Sequence, residues 1–184
     1  MRAPAAFTLV ELLAVLFIIA LTASLSAPVI QRGRARAEQA VCLSNLRQIG
    51  TAIWLWIPDN ENRFPRIENN PANPVYEADD QAKTLLETLA PYGISTNVLR
   101  CPSEIKLGSK YFSKLTNSYE CPPWAGDEGV ASGQIQIYRQ GGTFNIPASR
   151  VTLAWDYENV HSGGFNLLRA DNTVTYRNLK PKYK

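Results

Sequence analysis

Metal-ligand spacing, a catalytic constellation and a basic tract are all missing from this sequence. The 184 residues hold one histidine, His161, and three cysteines, Cys42, Cys101 and Cys121, none of which falls in a C-x-x-C pattern. A structural metal cluster is therefore not expected. No serine or cysteine motif surrounds the single histidine, so nucleophile, base and orienting acid are not set out in any recognisable order, and the chain is not read as an enzyme. Lys and Arg number 19 against 16 Asp and Glu. Apart from Arg32, Arg34 and Arg36 the basic residues form no tract, which excludes nucleic acid as the expected partner.

What the sequence does have is a long apolar run, AFTLVELLAVLFIIALTASLSAPVI, at residues 6–30. Almost every residue from Phe7 to Leu25 is apolar, whereas the chain from Gln31 onward is mixed. A helix from Phe7 to Ile30 rises roughly 36 Å at ~1.5 Å per residue, enough to cross a hydrocarbon core of about 30 Å. One carboxylate, Glu11, sits in this run. A charge costs about 2.5–3.5 kcal/mol near a membrane centre and less toward an end. A cleavable secretory signal, with Arg2 as its basic region and small residues at Ala23 to Ala27, gains nothing from it, and neither does a plain anchor.

The stretch AFTLVELLAVLFIIAL resembles the prepilin signature of type IV pilins and type II secretion pseudopilins: a short basic leader, a small residue, then Phe-Thr-Leu-Val-Glu-Leu-Leu and an unbroken apolar helix. The resemblance implies cleavage between Ala6 and Phe7 by a prepilin peptidase/methyltransferase, and N-methylation of the new Phe7 amine. Ala6 stands where the family usually has Gly. It also implies that Glu11, then the fifth residue, sets assembly register by pairing with the amine of a neighbouring subunit, since a buried carboxylate needs a partner. The implied partners are other pilin or pseudopilin subunits, an inner-membrane assembly platform and the membrane itself. The implied location is the bacterial inner membrane, single-pass, with the globular domain extracytoplasmic. Arg32, Arg34 and Arg36 outweigh Arg2, so charge alone would invert that orientation. The resemblance places the leader in the cytoplasm.

Pro28 lies where the family often carries a proline, and with Gly33 it predicts a kink or local melting. Beyond Arg36, Leu46, Ile49, Gly50, Ile53, Trp54 and Ile57 recur at i, i+3, i+4, i+7, i+8 and i+11, the stripe of an amphipathic helix that Pro58 ends. The expected divisions are a leader at 1–6, a transmembrane and assembly helix at 7–30, its amphipathic continuation at 31–57, and a globular domain at 58–184. Residues 60–76 read as a long loop. Asp79 or Asp80 caps a short helix through Ala82, Leu85, Leu86 and Leu89, closed by Pro91 and Gly93. Strands are expected at 134–139, 151–156, 165–170 and 173–178, the last two joined by a two-residue turn at Asp171 and Asn172. The expected fold class is α+β and pilin-like, a long N-terminal helix packed on a small antiparallel sheet with long loops.

CLSNLRQIGTA further resembles a prepilin-type branch whose C-terminal motif is His, nine residues, then Asp-Gly. His161 and Asp171 keep that spacing, with Asn172 in place of Gly. The expected role is structural, His161 ordering a loop and Asp171 and Asn172 making a turn. No cofactor is expected; a calcium site would draw on Asp156, Glu158 and Asp171. In the oxidising space that the resemblance implies, three cysteines allow one bridge. Cys42 with Cys101 is favoured because both lie in family-like phrases, CLSNLRQIG and VLRCPSE; Cys101 with Cys121, or three buried thiols, are the alternatives. The functional expectation is a filament subunit of a type IV pilus or a type II secretion pseudopilus. The alternative is a membrane-anchored extracytoplasmic binding protein that does not polymerise, with Trp124 and Trp155 as stacking surfaces.

Overall fold

The computed structural model describes residues 8–67, 83–106, 112–113, 116–121, 129–131, 134–139, 142–157, 160–161 and 163–178. The chain divides between Ala37 and Glu38 into two compact units. Both contain part of one helix, α1, Leu9–Asp59.

Its first turn is fixed by the sequence Thr8-Leu-Val-Glu11. Thr8 Oγ1 accepts from Glu11 N at 3.3 Å while Glu11 Oε2 accepts from Thr8 N at 2.9 Å. This reciprocal capping box satisfies helix-start donors that otherwise have no partner. Leu9, Leu13, Phe17, Leu21 and Leu25 are all more than half exposed, and this stretch of helix is long and apolar enough to cross a membrane. Its few hydroxyls bond back to helix carbonyls: Thr22 to Ile18 at 3.0 Å, Ser24 to Leu21 at 2.7 Å and Ser26 to Thr22 at 2.8 Å. The helix continues through Pro28 and Gly33 without interruption. Proline here neither ends nor melts it, because a missing N–H removes one bond from a ladder that the neighbouring turns hold closed.

In the second unit α1 buries Cys42, Asn45, Leu46, Ile49, Gly50, Ile53 and Ile57. Trp54 is half-buried and donates Nε1–H to Ala170 O at 2.7 Å. The helix passes Pro58 and stops at Asp59. Asn60 N and Asn62 N then both donate to Ile57 O, at 3.1 and 3.0 Å, with Glu61 and Asn62 at φ 55° and 58° turning the chain away.

Helix α2, Leu85–Leu89, is capped by Thr84 in a second Thr-x-x-Glu box with Glu87. This corrects the expected cap, since Asp79, Asp80 and Ala82 lie outside the described residues and the helix begins after Thr84. A 3-10 turn at Ala90–Tyr92 and Gly93 at φ 87° close it. Helix α3, Pro102–Lys106, was not expected; proline suits its first position because no donor is needed there.

Among the described residues, seven strands form two antiparallel sheets rather than one. The first has the order β1-β5-β6-β7, from β1 (Tyr119–Glu120), β5 (Thr152–Asp156), β6 (Gly164–Arg169) and β7 (Val174–Asn178). The second is β2-β3-β4, from β2 (Gly129–Ala131), β3 (Gln134–Arg139) and β4 (Gly142–Pro147). The β6–β7 hairpin closes between Arg169 and Thr173, where Arg169 N donates to Thr173 O at 2.9 Å. Its loop is therefore three residues, Ala170, Asp171 and Asn172, rather than two, with Asn172 at φ 61° in the left-handed position such loops require. One core joins α1 residues Leu46, Ile49 and Ile53 to Leu85, Leu89, Leu99, Leu153 and Leu168. Ile135 ties the second sheet to the same core.

Candidate functional site

The residues singled out in the sequence fall into three places. Ala6 and Phe7 lie outside the described residues. Glu11 heads α1, both of its bonds from Thr8 landing on Oε2. The local cap gives this carboxylate a partner within its own chain, a role the T-x-x-E spacing carries and the resemblance alone did not supply.

The second place is the β6–β7 turn. Asp171 Oδ1 accepts from Thr173 N at 3.0 Å and from Thr173 Oγ1 at 2.6 Å, and these bonds hold its carboxyl below the usual range. Asn172 Nδ2 donates to Thr51 Oγ1 at 3.3 Å. A Cβ on Gly50 would meet Asn172 Oδ1 and come within 3.1 Å of both Leu168 methyls. Glycine in the middle of α1 thus lets the hairpin tip lie against the helix backbone.

His161 is not at that turn. It is 4% exposed and belongs to a third place, a buried polar cluster beneath α1. Its backbone exchanges two 3.0 Å bonds with Gly164, Gly163 takes φ 84°, and Tyr176 Oη donates to His161 O at 2.7 Å. A side chain at Gly164 would collide with Tyr176 and Arg177 O, so only glycine fits there. Held this way, His161 places Nε2 3.3 Å from Asp156 Oδ2 and 3.7 Å from Cys101 Sγ. Cys101 is joined to Cys42 by a disulfide, with Cα atoms 5.4 Å apart. The donor atoms of Cys42, Cys101 and His161 all lie within 4.8 Å of one another.

Strand β5 delivers Asp156 and β6 delivers Asn166, whose N–H donates to Asp156 Oδ2 at 2.7 Å. Asn166 is fully buried, and its Oδ1 accepts from Gln39 Nε2 at 3.4 Å. Asp156 is 2% exposed, and its Oδ1 has no hydrogen-bond partner among the described residues. Next to them Tyr119 Oη accepts from Asn45 Nδ2 at 3.1 Å. Burial, and then the Asp156 and Glu104 charges, push this phenol far above its ordinary value, against the opposing Asn45 bond. Cys121 is a buried cysteine outside the disulfide, whose thiol burial, with a contribution from Glu120, pushes up to about 12. A thiol so held is inert as a nucleophile.

Sequence spacing missed this cluster because its donors come from α1, from the start of α3 and from the end of β5 and the loop after it. A local signal was Asn166, a polar residue between the apolar Phe165 and Leu167 of β6. The calcium candidates do not stand alike: Asp156 is engaged by His161 and Asn166, Asp171 by Thr173, and Glu158 lies outside the described residues. Of the expected stacking residues, Trp124 also lies outside them, and Trp155 donates Nε1–H to Glu120 Oε2 at 2.9 Å. Among family models, curated proteins and solved structures, none matches this chain.

Proposed function

We propose that the chain is a prepilin-like subunit, cleaved between Ala6 and Phe7, N-methylated at Phe7, and assembled through its N-terminal helix into a type IV pilus-like or type II secretion pseudopilus filament. The observation that carries this reading is the contrast along α1. From Leu9 to Ile30 its large apolar side chains are exposed, whereas from Cys42 to Ile57 the same helix has a buried face. Exposed apolar surface on this scale requires lipid or other helices around it. A helix that exchanges lipid for neighbouring subunits meets that need in both locations.

Glu11 fits the same scheme. A carboxylate offers about four acceptor positions, so two bonds from Thr8 leave room for an ammonium from a second subunit. Cleavage before Phe7 retains the Thr8 cap and sets the new amine one residue ahead of it. The proposed setting is the bacterial inner membrane, with the peptidase/methyltransferase and the assembly platform as partners and the globular unit extracytoplasmic. Intact mass and N-terminal peptide sequencing of the chain from its native membrane test the reading. A chain beginning with N-methylated Phe7 supports it; one beginning at Met1 or near Ala27 refutes it.

A further inference from the structure

We infer that Cys42, Cys101 and His161 form a zinc site in the dithiol state of the chain, with Asp156 beside the imidazole, a site that the Cys42–Cys101 disulfide replaces on oxidation. The distances fit a shared ion. With Zn–S of about 2.3 Å and Zn–N and Zn–O of about 2.1 Å, tetrahedral geometry requires ligand separations of roughly 3.5 Å for S to N and roughly 3.4 Å for N to O. The structure has 3.7 Å from Cys101 Sγ to His161 Nε2 and 3.3 Å from that nitrogen to Asp156 Oδ2. One and the same nitrogen faces both the sulfur and the carboxylate. The donor atoms of Cys42, Cys101 and His161 share one grouping within 4.8 Å, and Asp156 stands next to the imidazole outside it.

The buried carboxylate points the same way. Asp156 Oδ1 lies in the interior without a hydrogen-bond partner among the described residues, and Asn166 N–H fixes the other oxygen from behind. Two thiolates and an imidazole suit a borderline ion such as zinc and not calcium, which takes six to eight oxygens.

The chain is synthesised with two thiols, and Zn²⁺ displaces two protons as it binds. On oxidation the two sulfurs form the S–S bond and pass two electrons to a disulfide oxidant. The oxidant takes up two protons and leaves as a dithiol, and Zn²⁺ departs with its two sulfur ligands gone. A dithiol reductant reverses the exchange, after which the sulfurs separate to the roughly 3.8 Å that a tetrahedral site requires. Cys121 takes no part in the grouping.

The test uses the full chain in detergent micelles, prepared as the disulfide form and as a phosphine-reduced form freed of phosphine without air. Zinc is counted by mass spectrometry after dialysis, and Co²⁺ replaces it for spectroscopy. The expected result is one zinc per reduced chain and none per oxidised chain, with thiolate-to-cobalt charge transfer and tetrahedral bands. His161→Gln and Asp156→Asn should each weaken zinc binding by about tenfold or more, and Cys121→Ala should leave it unchanged. Because the cobalt spectrum is read on the unaltered chain, it stands even if a variant fails to fold. A reduced chain that takes up no zinc, whether folded or not, overturns the inference. So does a cobalt complex without thiolate bands, or affinity unchanged in both His161→Gln and Asp156→Asn.

Discussion

Replacing Gly50 by alanine sets two physical effects against each other. Alanine is the better helix former by about 1 kcal/mol in a helix interior. At this position, however, the new methyl lands against Asn172 Oδ1 and within 3.1 Å of two Leu168 methyls. Overfilling a packed contact costs about 1–3 kcal/mol. Asn172 cannot withdraw freely, because its backbone is held at φ 61° in the hairpin loop, and rotating its side chain breaks the bond to Thr51, a loss of about 0.5–1.5 kcal/mol. The net expectation is destabilisation by about 1–2 kcal/mol. Gly33→Ala, where nothing lies within 4 Å of the new carbon, carries the helix-propensity gain without the collision and should be neutral or stabilising. Urea unfolding of the full chain in detergent, followed by circular dichroism and by tryptophan fluorescence, measures both. Trp54 is a local probe, since it bonds to Ala170 in the same hairpin loop. A Gly50→Ala chain as stable as the parent refutes the packing argument, because helix propensity alone gives both substitutions the same sign.

Three further predictions follow from other elements. Cys42→Ser with Cys101→Ser, compared with the oxidised parent in the presence of a chelator, should lose about 4 kcal/mol, the chain-entropy value for a loop closed across 59 residues; unchanged urea midpoints would show that the bridge does not constrain the unfolded chain. Glu11→Gln keeps a side chain able to accept the Thr8 cap but removes the charge, so helicity should survive while filament assembly is lost, and filaments of normal yield by electron microscopy would contradict the register role. The Cys121 thiol is raised by burial from 9.0 to about 12, so above about pH 9 the unfolded chain loses a proton that the folded chain keeps. Stability should therefore fall as pH rises between about 9 and 12, and Cys121→Ala should remove that part of the slope in alkaline unfolding curves.

The features legible from sequence were those with a period. The apolar run, the stripe from Leu46 to Ile57, and strands β3, β5, β6 and β7 were read within a residue or two, although β7 is exposed along most of its length. Strand β1 is two residues long and exists only because β5 pairs with it. Strand β4 is exposed along most of its length, so no alternation marks it. The cap of α2 was misplaced because two aspartates preceding an apolar run resemble a helix start, while the box that forms is Thr84 with Glu87. The same T-x-x-E spacing at Thr8 was read only for its charge. The buried cluster was the least legible, since Cys42 and Cys101 stand 59 residues apart and the fold alone brings them to His161 and Asp156.

The place of the disulfide also sets the route of mechanical load. Tension applied along α1 from its N-terminal end enters the second unit at Glu38, and about one helical turn later it reaches a covalent link at Cys42. From there force crosses directly to Cys101, and the residues between them form a closed loop that bears none of it. The core-forming turns of α1 and all of α2 lie inside that loop. Pulling therefore cannot peel the helix from its core contact by contact. Extension of the residues inside the loop waits on a bond whose rupture is chemical, and the reducing state of the surroundings decides whether the same pull can unravel them.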